Sequence, residues 1–362
     1  MNACQRSVWV TLIAAVLGCG STGSGPGFEK TNLVSNLPGN APVTDGHLLN
    51  PWGIAHSSTS PWWVANNGSG TSTLYTGSGS PFPPPTPLVV TIPPAANAPP
   101  GTLASPTGVV FNSTLDFIVG SDAARGSAQF LFATEDGTIS GWSPNANPTA
   151  AILVVDNSGQ NAIYKGIALG TIGGVNYVYA TNFNAGSIDA FDGTFTPALA
   201  GSFVDQTIPG GFAPFGIQNI NGDIYVTYAK QDANKQDEVA GAGFGYVNVF
   251  DASGSLVRRL VSQGQLNAPW GIVQAPSSFG HFGGAIIIGN FGDGRLNAYD
   301  PVGGTFQGQL SFASGDPLII SGLWGLGFGN GSGAGSTNTL YFSAGPDDEV
   351  NGLFGMLVPV NS

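Results

Sequence analysis

The chain has 362 residues, with 56 Gly and 26 Pro, and only 8% of its residues are charged. This composition excludes long amphipathic helices, which need many Glu and Lys pairs, but 42% hydrophobic residues can still form a large core. Nine Lys and Arg against 21 Asp and Glu give a formal net charge of -12. Nucleic acid is therefore excluded as an expected partner, because the chain has no basic surface to meet phosphates.

The first 19 residues predict an export signal. Arg6 precedes an apolar stretch that ends near Leu17 and is too short to span a bilayer. The run VLGC at 16–19 resembles a bacterial lipobox, in which the cysteine becomes lipidated. We therefore expect a lipoprotein-type signal peptide over 1–19, with Cys19 as the lipidation site. Ordinary signal cleavage stays open, because Leu17 stands where a small residue is preferred.

The lipobox resemblance implies a protein attached to the bacterial outer membrane, facing either the periplasm or the cell surface. The protein would be secreted if the lipobox is not used, and the N-terminal lipid would be its only membrane contact. The next segment, 20–28, is rich in Gly and Ser and predicts a flexible tether. We expect a single folded domain over 29–360.

Six similar phrases recur along that domain at intervals of 50 to 58 residues. They are PWGIA (51–55), PTGVV (106–110), YKGIA (164–168), PFGIQ (214–218), PWGIV (269–273) and LWGLG (323–327). A period of about 40 to 50 residues is typical of the blades of a β-propeller. The glycine in each phrase predicts an innermost strand, where neighbouring chains leave little room for a side chain.

Two further runs of β-branched and aromatic residues follow each phrase and predict the second and third strands of a blade. A fourth run is visible in five repeats, at 87–92, 151–156, 199–204, 256–261 and 306–312. The sixth repeat lacks one, and the N-terminal run at 30–36 can take its place and close the ring. The sequence thus predicts an all-β fold, a six-bladed β-propeller with four-stranded antiparallel blades.

In this connectivity, the loops into the inner strands and the hairpins between second and third strands lie on one face, at the mouth of the central channel. Polar and aromatic residues from these loops and inner strands should line a ligand site there. The predicted ligand-binding residues are Asp45, His47, Asn50, Trp52, Asn66, Lys165, Trp270 and Trp324. The aromatic members either pack between blades or form a rim that stacks on a flat ligand such as a sugar.

Acidic and amide residues in the same hairpins suggest a possible Ca²⁺ site, since Ca²⁺ takes six to eight oxygen ligands. The candidate metal ligands are Glu135, Asn182, Asn290 and Asp347. The alternative is that such residues only satisfy the backbone of turns. No catalytic signature or paired His or Cys motif is present, so no catalytic residue is predicted. A charged insertion at 230–243 is either a lid over the channel or a tolerated surface loop.

Four stretches carry a resemblance to an uncharacterised family of exported bacterial β-propeller proteins, some of which end in PEP-CTERM sorting tails. They are NLVSNLPG (32–39), DGHLLNPWGIA (45–55), VANNGSGTSTLY (64–75) and LNAPWGIV (266–273). This chain ends in FGMLVPVNS (354–362), without that tail. More distantly, GSIDAFD (186–192) and GRLNAYD (294–300) resemble NHL-type repeats and the six-bladed, calcium-dependent lactonases of the gluconolactonase kind.

Three functions follow as hypotheses. The first is an exported binding or scaffold protein that holds a glycan, peptide or protein at the channel mouth. The second, which the lactonase resemblance implies, is a Ca²⁺-dependent lactone or ester hydrolase. The third is a purely structural component of the surface or matrix.

Overall fold

The computed structural model describes residues 27–360. The predicted signal peptide and Cys19 lie outside these residues. The described chain begins with β1 (Gly27–Ser35) and β2 (Val43–Thr44) and continues into blade 1, formed by β3 (Pro51–Ala55), β4 (Trp62–Asn66), β5 (Thr71–Tyr75) and β6 (Val89–Thr91). Blade 2 contains β7 (Pro106–Phe111), the hairpin β8 (Ile118–Ser121) and β9 (Ala124–Ser127), β10 (Phe130–Thr134), β11 (Thr138–Trp142) and β12 (Ile152–Asp156).

The remaining blades follow in chain order. Blade 3 contains β13 (Tyr164–Ile172), β14 (Val175–Asn182), β15 (Ser187–Asp192) and β16 (Pro197–Ala198), and blade 4 contains β17 (Phe212–Ile220), β18 (Asp223–Lys230), β19 (Gly245–Phe250) and β20 (Leu256–Ser262). Blade 5 contains β21 (Pro269–Gln274), β22 (Ile286–Asn290), β23 (Leu296–Tyr299) and β24 (Phe306–Gln309), and blade 6 contains β25 (Leu323–Phe328), β26 (Leu340–Ala344) and β27 (Leu353–Val360). Three single-turn 3-10 helices lie at Asn67–Ser69, Ser158–Gln160 and Gly280–Phe282.

The prediction of a six-bladed β-propeller is confirmed. Blades 1 to 5 are four-stranded antiparallel sheets whose strands follow chain order from the centre outward. In blade 6, β1 adds to β27 as the fourth strand and closes the ring, and the two-residue β2 pairs parallel with β1 beyond it. β1 pairs antiparallel with β27 from Gly27 opposite Val360 to Ser35 opposite Leu353. Alternating apolar residues of adjacent blades pack face to face, so the core is divided into clusters between neighbouring sheets.

The glycines of the six phrases lie where inner strands approach one another around the axis. A Cβ added to Gly271 would lie 2.5 Å from the carbonyl oxygen of Trp324, and one added to Gly325 would lie 2.5 Å from that of Trp52. Both atoms belong to the inner strand of the next blade. The prediction that these glycines lie on crowded inner strands is therefore confirmed, because the ring leaves no room for a methyl group at Gly271 or Gly325.

Replacing one of these glycines tests how tightly the ring is packed. We expect Gly271→Ala to lower the free energy of unfolding by about 1 to 3 kcal/mol, the usual cost of overpacking a rigid core. Gly210→Ala is the matched control, because a Cβ there would meet nothing within 4 Å. Denaturant unfolding measures both variants, and equal stability of the two would contradict the close approach of the inner strands.

The structure corrects one boundary in the sequence prediction and adds one hairpin. The expected tether at 20–28 overlaps β1, which begins at Gly27. Phe28 is 1% exposed, and its ring centroid lies 4.9 Å from that of Phe279 and 6.2 Å from that of Phe282. The last two residues of the expected tether therefore belong to the folded domain. The hairpin of β8 and β9 was not expected and is an insertion between the first two strands of blade 2.

The prediction of a fourth strand in the third repeat is also wrong. Residues 199–204 were expected to form a strand, but the outer strand of blade 3 is the two-residue β16 at Pro197–Ala198. The chain turns away afterwards because Leu199, Gly201 and Phe203 adopt positive φ angles of 50°, 80° and 60°. A β-strand requires extended backbone with negative φ, so these residues cannot continue one.

Within residues 27–360, no helix has the length and apolar character needed to cross a bilayer.

Candidate functional site

Aromatic side chains close the mouth of the channel. Trp52 and Trp324 stack with ring centroids 3.5 Å apart, and Trp270 meets both rings edge-on at 6.0 and 5.8 Å. Phe215 contacts Trp324 at 5.9 Å, and Phe291 stacks on the same indole at 4.0 Å. We call these five residues the aromatic plug. The inner-strand aromatics therefore pack across the axis, a third arrangement besides the two expected from sequence.

The six inner strands each contribute the residue before the phrase glycine to this region. They contribute Trp52, Thr107, Lys165, Phe215, Trp270 and Trp324, of which only Lys165 is charged. Lys165 is 1% exposed, and its ammonium lies 5.2 Å from the ring centroid of Trp52 and 5.7 Å from that of Phe183. An ammonium so placed is attracted to the ring faces, but it also needs anionic partners to offset its loss of water.

Carboxylates from three loops supply those partners. Lys165 Nζ lies 2.6 Å from Glu135 Oε1, in the second-to-third hairpin of blade 2, and 3.2 Å from Asp237 Oδ1, in the blade 4 insertion. Glu238 also acts on Lys165 electrostatically, and Glu349 of blade 6 lies close enough to interact with Glu135 and Asp237. We call Lys165 and these four acidic residues the mouth network.

Amide side chains tie the mouth network to the plug. Asn67 donates from Nδ2 to Glu135 Oε2 at 2.8 Å, and Asn50 donates from Nδ2 to Glu349 Oε2 at 2.7 Å. Asn50 Oδ1 in turn accepts a hydrogen bond from the indole nitrogen of Trp324 at 3.1 Å. Asn50 is buried and holds a positive φ of 43°, a conformation that asparagine tolerates better than most residues. Asn50 thus joins Glu349 of the mouth network to Trp324 of the aromatic plug by hydrogen bonds.

Burial and mutual proximity shift the pKa values of Lys165, Glu238 and Glu349. Burial alone would lower the pKa of Lys165, but the attraction of Glu135, Glu238 and Asp237 outweighs it and raises the pKa above the ordinary value. Burial raises the pKa of Glu238 to about 7, although Lys165 opposes this shift. Burial also raises the pKa of Glu349, and the neighbouring Glu135 and Asp237 add to that effect. Lys165 does not fully offset the mutual repulsion of the four carboxylates.

The raised pKa of Glu238 predicts a pH-dependent stability. An acid whose pKa is higher in the folded state is stabilising only when it is protonated, so its penalty grows as pH rises from about 4.5 to about 7. We expect Glu238→Gln to raise the melting midpoint at pH 8 and to leave it nearly unchanged at pH 4. Melts across this range test the effect, with Glu29→Gln on β1 as the control. A constant difference between Glu238→Gln and the unmodified protein at every pH would contradict it.

The charged insertion at 230–243 contacts the mouth network, which agrees with the first of the two alternatives, a loop that lies over the channel. Gln231 donates from Nε2 to the carbonyl of Phe183 at 2.6 Å, and Gly241 donates its backbone N–H to Asn267 Oδ1 at 2.6 Å. With Asp237 on Lys165, these contacts fasten the insertion to blades 3 and 5. Asp237 and Glu238 were not among the predicted site residues, although the five charged residues of this insertion in a charge-poor chain were the available signal. Glu349 was expected among the acidic residues of the mouth hairpins but was not chosen as a ligand.

The predicted ligand-binding residues fall into two groups. Asn50, Trp52, Lys165, Trp270 and Trp324 meet at the mouth, and the indole nitrogen of Trp52 is buried there without a hydrogen-bond partner. The other three form their hydrogen bonds outside the mouth network. Asp45 accepts hydrogen bonds from Tyr75 and from the backbone and ring of His47, which is itself exposed, and Asn66 donates to Thr71 and Thr73.

The structure does not bring the four candidate calcium ligands to one point. Glu135 binds Lys165, and Asn182 bonds within its own blade to Asp189 and to the backbone of Ala185. Asn290 donates to Gln265 and Asp293, and the exposed Asp347 accepts from Asn351. Residues 27–360 contain no group of three or more His, Cys, Asp or Glu side chains placed to hold a metal ion.

The open end of the channel lies on the face opposite the mouth. A cavity of about 670 Å³ opens there, between the ends of the inner strands. Its walls include Ile54, Val109, Phe111 and Leu326, together with the uncharged polar side chains of Gln218 and Gln274. The two ends of the channel thus differ in chemistry: the mouth is closed and acidic, whereas the cavity at the opposite end is open and has no Asp, Glu, Lys or Arg in its lining.

Comparison with other sequences identifies relatives. No protein-family profile matches the chain. It is 34% identical over 332 residues to the uncharacterized protein R648 of Acanthamoeba polyphaga mimivirus, an alignment that covers 90% of this chain and 78% of R648. It is 32% identical over 339 residues to the uncharacterized protein L690 of the same virus, covering 91% and 86% of the two chains. The chain belongs to the family of these mimivirus proteins. These members of the family are viral, so a bacterial source remains a prediction from the signal sequence and the resemblance.

Solved structures show the same fold at low sequence identity. A streptogramin B lyase structure aligns with a TM-score of 0.54 and 14% identity, covering 94% of this chain and 99% of the lyase. A Bacteroides thetaiotaomicron protein of unknown function aligns with a TM-score of 0.54 and 12% identity over 93% of this chain and 76% of that one. A glucose dehydrogenase aligns with a TM-score of 0.51 and 13% identity, covering 92% and 99%. These likenesses establish only that this chain shares the propeller architecture with these three proteins, two of which are enzymes, and fold does not fix function.

Proposed function

We propose that this protein is an exported binding protein whose mouth face engages a cationic partner, such as a basic peptide or a basic protein surface. The observation that carries the proposal is the charge imbalance of the mouth network. Four carboxylates, from Glu135, Asp237, Glu238 and Glu349, share the single ammonium of Lys165. A bound cation would stabilise carboxylates that now repel one another.

The surroundings favour binding at the surface rather than deep in the channel. The aromatic plug fills the space beneath the mouth network, so a partner meets the carboxylates from outside. Asp347 and Asp348 are exposed in the same hairpin as Glu349 and extend the acidic surface outward from it. Acidic patches of this kind raise the rate and specificity of association with partners of opposite charge.

Export and anchoring belong to the same proposal. The signal at 1–19 and the lipobox cysteine Cys19 support an anchor on the bacterial outer membrane, and secretion is the outcome if the lipobox is not used. Mass spectrometry of the mature N-terminus in a bacterial host distinguishes the two. A lipid on Cys19 supports the anchor, whereas a free N-terminus beyond residue 19 supports secretion.

Binding is tested with a labelled oligolysine peptide and fluorescence anisotropy. We expect the peptide to bind at low salt and to be released at high salt, because exposed charges are screened. The double variant Asp347→Asn with Asp348→Asn should weaken binding several-fold. Both positions have positive φ, 58° and 53°, which asparagine also accepts, so the hairpin is expected to persist.

A control of equal charge separates a local site from the general acidity of the chain. Asp122→Asn with Asp223→Asn also removes two charges, but both residues lie on the opposite face, Asp122 in the β8–β9 hairpin and Asp223 at the start of β18, beside the turn that follows β17. Equal weakening by the two double variants would overturn the mouth site. If millimolar Ca²⁺ raises the melting midpoint and the Asp347 variant removes that rise, the calcium-dependent hydrolase replaces the binding proposal.

A further inference from the structure

The outer strand of blade 3 is incomplete. β16 pairs with β15 at only two positions, Ala190 opposite Ala198 and Phe191 opposite Pro197. In blade 4 the corresponding outer strand pairs at five positions along β19. Within residues 27–360, no strand or isolated bridge covers the outer edge of Ser187–Asp189. An uncovered edge of this kind offers backbone N–H and C=O groups to another chain.

The segment that would complete the strand is fastened to blade 4 instead. After the left-handed turn at Leu199, Phe203 donates its backbone N–H to the carbonyl of Gly254 at 2.8 Å. Its side chain packs against Phe250 at 5.4 Å between ring centroids, and Asp205 forms an ion pair with Arg259. The blade 3 edge therefore stays open because its own chain is held elsewhere.

A cleft of about 570 Å³ occupies the place of the missing strand. One wall is the segment from Gly186 to Phe191, the other is the connection that includes Ile208, and Phe212 also lines the cleft. Tyr228 lines it as well; this residue is 5% exposed, and its hydroxyl has no hydrogen-bond partner. The volume falls in the range of ligand sites, and the cleft offers both apolar walls and unused hydrogen-bonding groups. It is separate from the mouth network.

The other blades show what chemistry the missing strand would have. The third strands of blades 4 and 5 carry Asn248 and Asn297 at the position of Asp189, counted from the preceding glycine. In each of these blades the residue directly opposite, on the outer strand, donates to that asparagine. Arg259 donates to Asn248 at 3.3 Å and Gln309 donates to Asn297 at 3.0 Å.

Blade 3 has a carboxylate at that position and no residue opposite it. Asp189 accepts hydrogen bonds only from uncharged donors, namely the hydroxyl of Tyr164 at 2.9 Å, the amide of Asn182 at 3.0 Å and the hydroxyl of Ser187 at 3.4 Å. A cationic side chain on an incoming strand would occupy the place that Arg259 has in blade 4. Charge-assisted hydrogen bonds are stronger than neutral ones.

We propose that this cleft binds an extended peptide segment of a partner protein, which adds to β15 as the missing part of the outer strand and places a Lys or Arg opposite Asp189. Backbone hydrogen bonds to the open edge provide affinity, and the basic residue provides specificity. Apolar residues of the segment pack against the walls formed by Phe203 and Phe212. Strand addition of this kind is a recurrent mode of peptide recognition.

The probe is a labelled synthetic peptide with the sequence of residues 255–262, SLVRRLVS, which contains the outer strand of blade 4, β20. We expect saturable binding to the whole protein. Asp189→Asn keeps the hydrogen bonds to oxygen but removes the charge, and it should weaken binding about tenfold, the loss expected for one charged hydrogen bond. Asn297→Asp is the matched control, because it places a carboxylate in a blade whose outer strand is present, and it should leave binding unchanged.

Two further measurements separate strand addition from simple charge attraction. A peptide in which both valines are replaced by proline keeps its two arginines but cannot form the ladder, so it should not bind. Hydrogen exchange should slow across residues 186–190 when the unmodified peptide is present. At a salt concentration that releases oligolysine from the mouth, the double variant Asp347→Asn with Asp348→Asn should bind the peptide as the unmodified protein does, so this test is independent of the mouth site. Failure of the unmodified peptide to bind, equal binding of the proline peptide, or protection confined to the mouth loops would overturn the proposal.

Discussion

Lys165→Met should lower the free energy of unfolding by about 3 kcal/mol at pH 8, the lower end of the range for removing one partner of a buried ion pair. Methionine keeps the length of the apolar stem, so the loss comes from the carboxylates that remain. Glu135 is one-quarter exposed and Asp237 is mostly exposed, and water therefore relieves part of their repulsion. Denaturant unfolding at constant temperature measures the difference.

The pH dependence of this variant identifies its cause. The penalty should shrink between pH 8 and pH 5, because Glu238 and Glu349 take up protons once the ammonium is gone. Lys235→Met is the control, since Lys235 is exposed in the same insertion and forms no ion pair. A loss at pH 5 as large as the loss at pH 8 would show that packing of the stem, and not charge, stabilises the mouth.

Trp324→Ala should be at least as disruptive, with an expected loss of about 3 to 5 kcal/mol. The side chain is fully buried, stacks on Trp52 and Phe291 and donates a hydrogen bond to Asn50. Its removal leaves a cavity on the axis and an unpaired acceptor beneath Glu349. Denaturant unfolding measures the loss, and near-ultraviolet circular dichroism reports the stacked indoles directly.

Two controls define what this result means. Trp324→Phe keeps most of the ring contact but removes the indole donor, so we expect a smaller loss that measures the Asn50 hydrogen bond and the lost ring volume together. Phe306→Ala removes an aromatic ring that is 42% exposed on an outer strand, and it should cost less than about 1 kcal/mol. Comparable losses for Trp324→Ala and Phe306→Ala would contradict a structural role of the plug.

Local features of the sequence were sufficient for the architecture. The phrase glycines predicted the inner strands. Six inner strands meet around one axis, and each needs a residue without a side chain where it approaches its neighbour. The closing strand at 30–36 followed from strand pairing, because the sixth repeat lacked an outer strand and an open edge is unfavourable. The exposed position of the insertion at 230–243 followed from its charge, although its place over the mouth did not.

The outer strand of blade 3 shows where such reasoning fails. The run LAGSFV at 199–204 has the composition of a strand, and residue preferences favour that interpretation. Its backbone instead follows the contacts of Phe203 and Asp205 with blade 4. Tertiary packing overrides β-preference because the preference itself largely reflects packing against neighbours. The open edge at Ser187–Asp189 is therefore invisible in the sequence alone.

The candidate site divides in the same way. Lys165, Trp52, Trp270 and Trp324 were predicted as ligand-binding residues because each precedes a phrase glycine. The structure brings all four together at the mouth. Asp237 and Glu238, which lie 72 and 73 positions from Lys165, were not predicted, because nothing local indicates which loop crosses the axis. The candidate calcium ligands have the right chemistry, but their side chains bond within their own blades or to Lys165.

The sequence by itself determined that this protein is a six-bladed propeller, because each repeat encodes its own strands and its own crowded glycine. Only the tertiary structure decided that the mouth is closed by stacked indoles under an acidic network, and that one blade lacks most of its outer strand. Both features depend on residues from different blades meeting in space. Their positions are set by ring closure and by packing between sheets, which no single repeat contains.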